Sequence, residues 1–196
     1  PHRNWMPAQR HLGINDDRVF PEPFNLLDDY SGRGSAAREQ AMEIGRDMWP
    51  EWDLKLMTPG QLAQSYELES SGDAHKDDVS RANDWRSSVM QYQAAYNRMT
   101  PEERANWDRA YAPRIAEYER MKGRVSQEEL TRWKYQQYMK DYCAVIKGVD
   151  ENVGRLLDYL EEIGELDNTI IVYTSDQGFF LGEHGWFDKR FMYEEC

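Results

Sequence analysis

Asp176 and Gln177 are the residues of this sequence whose types and position most clearly could do chemistry. They directly follow Thr169–Thr174, an apolar, β-branched run. A carboxylate next to an amide oxygen supplies hard ligands, which suit Ca²⁺ or Mg²⁺ better than zinc. Ligands of open α/β sheets bind beyond the carboxyl ends of the strands, which is where this pair would lie. The alternative is an ordinary turn in which Asp176 caps the segment that follows.

A histidine and a lysine follow this pair at short range. His184 has Gly182 and Gly185 close to it on either side, and Lys189 comes thirteen positions after Asp176. Lysine supplies a positive charge with three hydrogen-bond donors, and histidine can donate a hydrogen bond or a proton. Together with a metal ion, such residues would favour an anion. A histidine in a loop is, however, more often an ordinary surface residue.

The elements that would position these residues come from the last third of the chain. Ser126 and Glu129 form a capping-box pattern that opens a long helix over about 127–163, and Gly164 is typical of a helix stop. We expect one buried stripe on this helix, with the following members: Tyr142, Ile146, Val149, Val153, Leu156, Leu160 and Ile163. The run Thr169–Thr174 then predicts a strand buried on both faces of a mostly parallel sheet.

The rest of the chain divides into a loop segment over 1–35, rich in proline and turn-forming residues, and a helical segment over 36–125. A capping box at Thr100 and Glu103 marks the clearest helix start within the second segment. The predicted helices of this region cover Ser35–Met48, a short segment over 60–67, and the longer segments 76–99 and 101–122. The fold class is therefore α/β, helix-rich in this chain, and we expect the partner strands to come from sequence outside it.

Composition excludes several classes of function. The 196 residues are 40% hydrophobic, enough for a core, and carry a net charge of −12. Such a charge repels nucleic acid and anionic membrane surfaces. No stretch approaches the roughly 20 apolar residues of a membrane span, and there is no signal peptide in the sequence.

Three segments carry a resemblance to a known family. Tyr173–Lys189 resembles the second metal-and-sulfate motif of type I, formylglycine-dependent sulfatases, which have an alkaline-phosphatase-like α/β sandwich fold. The branch that it resembles includes iduronate-2-sulfatase and bacterial polysaccharide sulfatases. Tyr142–Leu160 is similar to the helix that leads into that motif, and Pro1–Trp5 is similar to the end of the family's Ala-Pro-His segment. Residues 36–125 resemble only the variable helical insert of this branch.

The resemblance implies a role for each matching residue. Asp176 and Gln177 would be ligands of Ca²⁺, or of Mg²⁺, and Lys189 would hold the sulfate. His2 would donate a proton to the leaving group. His184 would line the pocket and contact sulfate or sugar, and Arg3 is a weaker candidate for a substrate contact. The substrate would be a sulfated carbohydrate, and relatives of this kind are mostly exported or lysosomal.

Two parts of the family's catalytic apparatus do not occur in the sequence. Relatives attack sulfur with the hydrate of a formylglycine made from a Cys/Ser-x-Pro-x-Arg motif, which these 196 residues lack. The paired aspartates of the metal site are also missing, since Asp28-Asp29 follows a proline-rich loop instead of a strand. We therefore expect the formylglycine upstream of an internal fragment that is inactive by itself.

Other functions remain open at this stage. One is a phosphonate or phosphate monoester hydrolase of the same superfamily, which would share the Asp-(His/Gln)-Gly and Gly-x-His-Gly framework. Another is a non-catalytic sugar- or anion-binding homologue. A purely helical structural domain would explain residues 36–163 but not the loop over 173–189.

Overall fold

The computed structural model describes residues 4–64 and 76–191, without the side chains of residue 64 and of 76–83. Five α-helices, three short 3-10 helices and a two-stranded hairpin form the regular structure of these residues. The α-helices are α1 (Ser35–Glu39), α2 (Pro59–Gln64), α3 (Lys76–Asn97), α4 (Pro101–Met121) and α5 (Gln127–Glu162), and the strands are β1 (Phe180–Leu181) and β2 (Phe187–Asp188). Among the described residues, no helix combines the length and apolar character that crossing a membrane requires.

Capping side chains in the first turn determine where α4 and α5 begin. Thr100 accepts a hydrogen bond from the amide of Glu103 and donates its own amide to the Glu103 carboxylate at 2.8 Å. Ser126 and Glu129 repeat this reciprocal pair, with distances of 3.2 and 2.9 Å. Both capping pairs supply hydrogen-bond acceptors to amides that have no partner within the helix. The predicted starts of these two helices are therefore confirmed.

The contacts of the chain divide it into two compact units, the first comprising Pro1–Trp5 and Trp49–Leu130. Its core is aromatic: Trp107 stacks on Tyr111 with ring centroids 4.5 Å apart and donates its indole N–H to the Tyr92 hydroxyl at 2.9 Å. Tyr92 and Val89 of α3 are also buried. The predicted helix over 60–67 forms as α2, and the end of that prediction lies outside the described residues.

The second unit comprises Met6–Met48 and Thr131–Cys196. The first half of α5 anchors it, since the Tyr138 hydroxyl donates to the carbonyl of Phe180 at 2.9 Å. Lys134 donates to the carbonyls of Gly45 and Met48 at 2.9 and 3.1 Å. A core cluster in this unit surrounds the hairpin, with the members Tyr30, Ala37, Met42, Phe180 and Trp186.

The predicted helix Ser35–Met48 is wrong beyond α1, which ends at Glu39. The following residues pair instead with the hairpin: the amide of Ile44 donates to the carbonyl of Gly185 at 2.8 Å. The amide of Phe187 donates to the carbonyl of Met42 at 2.9 Å. This pairing buries Met42 and Ile44, and long-range burial outweighs the weak helical preference of the segment.

The predicted strand Thr169–Thr174 is not formed, and the predicted buried stripe of α5 is wrong, since each of its seven members is half-buried or exposed. Ile170 and Val172 are 92% and 79% exposed, and Leu156 and Ile163 of the helix are also exposed. A strand needs a neighbour for its backbone hydrogen bonds, and the part of the chain that the structure describes provides none there. The only described sheet is instead the β1–β2 hairpin, which the sequence did not predict.

Candidate active site

The hairpin turn between β1 and β2 carries His184. The strands pair antiparallel, with Phe180 opposite Asp188 and Leu181 opposite Phe187. His184 has a φ of 56°, in the left-handed region that a residue with a side chain seldom adopts. The amide of Gly182 donates to the carbonyl of Trp186 at 3.0 Å and closes the turn.

The two glycines beside His184 allow close packing within the protein. A Cβ on Gly185 would lie 2.7 Å from the carbonyl oxygen of Leu26, and one on Gly182 would lie 2.6 Å from the Tyr135 ring. Both glycines also have positive φ. Their role in this structure is therefore to let the turn approach the Leu26 backbone and α5.

A polar cluster formed by Asn25, Asp28, Arg33 and His184 surrounds the histidine ring. Nδ1 of His184, which is buried, lies 2.8 Å from Oδ2 of Asp28 and 3.0 Å from Nη2 of Arg33. Asn25 Nδ2 lies 3.1 Å from the same nitrogen. Arg33 also forms an ion pair with Asp28 at 2.8 Å, so the carboxylate links the loop after residue 24 to the hairpin turn.

Hydrogen bonds keep the Asp28 carboxyl ionised. Burial raises its pKa, but hydrogen bonds from His184, the Tyr30 amide and Arg33 outweigh burial, and the pKa lies below its usual value. The Tyr30 amide donates to Oδ1 at 2.8 Å. Hydrogen-bond donors of the protein thus occupy the Asp28 carboxylate. This agrees with the sequence analysis, which excluded Asp28-Asp29 as the paired aspartates of a metal site.

Tyr30 holds the hairpin turn in place through its hydroxyl and its ring. Its hydroxyl donates to the carbonyl of His184 at 2.8 Å and accepts from the indole N–H of Trp186 at 2.9 Å. Its ring stacks on Trp186 with centroids 5.9 Å apart. Burial raises the pKa of Tyr30 far above its usual value, and the nearby charge of Glu43 adds to the effect, so the hydroxyl stays protonated.

The predicted metal and sulfate residues lie on the surface of the same unit. Asp176 and Gln177 are exposed, and Lys189 is partly exposed next to buried Asp188. Among the described residues, no three acidic, histidine or cysteine side chains are grouped to hold a metal ion. The two oxygen-bearing side chains suit a hard cation but supply only part of the roughly six to eight ligands of Ca²⁺. His2 and Arg3 lie outside the described residues.

Sequence reasoning missed four residues that contact His184, namely Asn25, Asp28, Tyr30 and Arg33. They lie more than 150 positions from His184, and no local pattern indicates a contact over such a separation. The turn-forming run over 28–33 was the one available signal, since surface loops often carry functional residues.

The fold of this chain matches that of a solved protein structure. A solved structure of a protein in complex with its substrate D-glucosamine-2-N,6-O-disulfate superimposes with a TM-score of 0.82 and 55% identity, and it covers 100% of this chain and 35% of that one. The family model named Sulfatase matches residues 83–194, and the chain belongs to that family. The predicted family and fold class are thereby confirmed.

Curated relatives agree with this assignment. The chain is 58% identical, over all 196 residues, to an N-acetylglucosamine-6-O-sulfatase of Bacteroides thetaiotaomicron, of which it covers 31%. It is 44% identical over 50 residues to human iduronate 2-sulfatase, covering 26% of this chain and 10% of that protein. The chain therefore spans about a third of the length of the Bacteroides thetaiotaomicron sulfatase and of the protein in the solved structure. The family, which also includes an extracellular sulfatase, is in general metal-dependent.

Proposed function

We propose that this chain is part of the catalytic domain of a sulfatase that hydrolyses a sulfate ester of a carbohydrate. The observation that carries the proposal is the 58% identity, over the whole chain, to an N-acetylglucosamine-6-O-sulfatase. The similar solved structure holds a 6-O-sulfated glucosamine, so a 6-sulfated glucosamine unit is the first substrate to test. An exported location is part of the proposal.

Six residues carry the proposed roles. Lys189 holds the sulfate, and its partly exposed ammonium provides the positive charge that an anionic ester needs. His2 donates the proton to the departing sugar oxygen. His184 and Arg3 border the substrate; the ring of His184 is held in place by the polar cluster.

Asp176 and Gln177 would hold the metal ion, Ca²⁺ or Mg²⁺, with further ligands from outside these residues. Their exposure in this structure leaves both side-chain oxygens accessible to a cation. A bound divalent ion would contribute positive charge near the sulfate oxygens. A formylglycine, when present in the full-length protein, would supply the nucleophile.

The test uses a full-length protein that carries this chain, assayed with N-acetylglucosamine 6-sulfate and 6-phosphate. We expect hydrolysis of the sulfate ester and a fall in kcat/KM of about 100-fold or more in Lys189→Ala, since loss of one charge-stabilising donor typically has that effect. Lys147→Ala is the matched control: its ammonium pairs with Asp150 at 3.1 Å on the surface of α5. A preference for the phosphate ester, or equal effects of both lysine changes, would contradict the proposal.

The calcium dependence of activity tests the metal assignment separately. Asp176→Asn removes one carboxylate charge, so we expect the Ca²⁺ concentration for half-maximal activity to rise at least about tenfold. Calcium titration of the chelator-treated enzyme measures this. An unchanged titration curve would exclude Asp176 as a ligand.

A further inference from the structure

Asp188 is a buried carboxylate that directly precedes Lys189. It ends strand β2, where it pairs with Phe180, and only 5% of its surface is exposed. Its φ is 75°, in the left-handed region that few residues other than glycine, asparagine and aspartate adopt. The chain therefore leaves the hairpin through a left-handed residue immediately before Lys189.

The carboxylate of Asp188 also binds the residue that follows Lys189. Its Oδ2 lies 3.2 Å from Nη2 of Arg190, whose side chain is 60% exposed. This ion pair closes a ring of three consecutive residues with Lys189 in the middle. Burying a carboxylate is costly unless it is paired, and here the guanidinium compensates the charge. A glycine or an asparagine would tolerate the same backbone conformation, but only an acidic residue supplies the charge for this pair.

Met42 contacts the backbone on both sides of Lys189. The amide of Phe187 donates to the Met42 carbonyl at 2.9 Å, and the amide of Arg190 donates to the Met42 sulfur at 3.4 Å. Met42 itself is buried in the core cluster of this unit. A thioether sulfur is a weak acceptor, so the ion pair between Arg190 and Asp188 is the stronger restraint on the chain after Lys189.

We propose that Asp188 is a positioning residue that directs the Lys189 ammonium, through its left-handed backbone and its ion pair with Arg190. The inference rests on the proposed function, in which Lys189 holds the sulfate. A lysine side chain is a flexible four-carbon stem, so its ammonium is placed reliably only where the backbone that carries it is fixed. Left-handed residues with side chains persist where surrounding contacts fix them, and they are frequent at functional sites.

The sign of the effect distinguishes positioning from simple electrostatics. Asp188 places a negative charge beside a lysine that is proposed to hold an anion, so removing that charge would by itself strengthen the attraction for sulfate. If the carboxylate directs Lys189, its removal weakens sulfate binding although the site becomes more positive. Asp188→Asn is the suitable change, because it removes the charge and still tolerates the left-handed backbone.

The experiment measures two quantities in the full-length protein: the Kd for inorganic sulfate by calorimetric titration, and kcat/KM for N-acetylglucosamine 6-sulfate. We expect Asp188→Asn to raise the Kd and to lower kcat/KM, each about tenfold, since misplacement of a group by about 1 Å can cost up to about 100-fold in rate. In the Lys189→Ala background the same change should have no further effect, because the group that it positions is gone. Arg190→Met should reproduce this pattern, because it breaks the same ion pair.

Asp47→Asn is the matched control. Asp47 is also a buried carboxylate of this unit, 7% exposed, and it pairs with Arg46 at 3.0 Å. It is far from Lys189 in the sequence and has no proposed role at the site. Any loss that this change causes through general destabilisation should be the same factor with and without Lys189.

The outcomes separate this inference from the proposed function. A wild type that binds sulfate but hydrolyses no sulfate ester contradicts the proposed function, and the Kd values then still test Asp188. Unchanged or tighter sulfate binding in Asp188→Asn, or an equal loss with and without Lys189, overturns the role of Asp188 alone. Wild-type sulfate binding in Lys189→Ala contradicts both proposals. If Asp188→Asn does not fold, Arg190→Met tests the ion pair from its exposed side, and a loss that is independent of Lys189 overturns the inference.

Discussion

Changing Tyr30 to phenylalanine deletes one oxygen atom that takes part in two buried hydrogen bonds of the hairpin turn. The hydroxyl donates to the carbonyl of His184 and accepts from the indole of Trp186, at 2.8 and 2.9 Å. The ring itself remains, so the stacking on Trp186 and most of the buried apolar area are retained. The change therefore isolates the hydrogen bonds from the packing.

The magnitude follows from the burial of both partners. A buried group that loses its hydrogen-bond partner costs about 1–3 kcal/mol, and relaxation of the turn recovers part of the loss. We expect the free energy of unfolding to fall by about 2–4 kcal/mol. With a urea dependence of roughly 2 kcal/mol per molar, the denaturation midpoint should fall by about 1–2 M. Urea titration followed by tryptophan fluorescence measures it.

The same substitution at a surface tyrosine provides the control. Tyr159 on α5 is 56% exposed, and Tyr159→Phe should change the free energy of unfolding by less than about 0.5 kcal/mol. A loss below about 1 kcal/mol in Tyr30→Phe, or equal losses in the two variants, would show that the hydroxyl does not hold the turn.

Two further predictions concern the same turn and its polar cluster. Gly185→Ala should cost about 1–3 kcal/mol more than Gly164→Ala, because both have positive φ but only Gly185 would place a Cβ against the Leu26 carbonyl; equal thermal shifts would refute this steric argument. Asp28 has a lowered pKa, so its ionised form stabilises the folded state fully above the usual value of 3.8. That contribution is lost as pH falls through the lower folded pKa. The stability difference between wild type and Asp28→Asn should accordingly shrink from pH 6 to pH 3, and a difference that does not change with pH in urea titrations would count against it.

The parts of the fold that the sequence predicted correctly are those encoded by neighbouring residues. The starts of α4 and α5 depend on pairs three positions apart, such as Thr100 with Glu103, which can be read directly. The strand over 169–174 was predicted from its apolar run, but a strand exists only where another strand pairs with it. The predicted helix Ser35–Met48 was wrong beyond Glu39, because Glu43 pairs with Trp186 of the hairpin instead of continuing the helix.

For the candidate site too, local features could be predicted from the sequence and long-range contacts could not. The residue types and spacing over 176–189 identified the loop and the family, since these features lie within one short stretch. The partners of His184 could not be predicted, because Asp28 and Tyr30 come from the other end of the chain. Contacts of this kind are determined by the path of the whole chain, and a single sequence carries no local sign of them.

The separation in sequence between the two sides of the hairpin's contacts has a consequence for the order of folding. The capping boxes at Thr100 and Ser126 close loops of three residues and can form within the first microsecond of helix growth. The bonds from Tyr30 to His184 and Trp186 close loops of more than 150 residues, whose entropy must be lost before any contact forms. The contact of the turn that carries His184 with Tyr30 should therefore form later in folding than these local contacts, and on a nascent chain it cannot form until synthesis has passed residue 186.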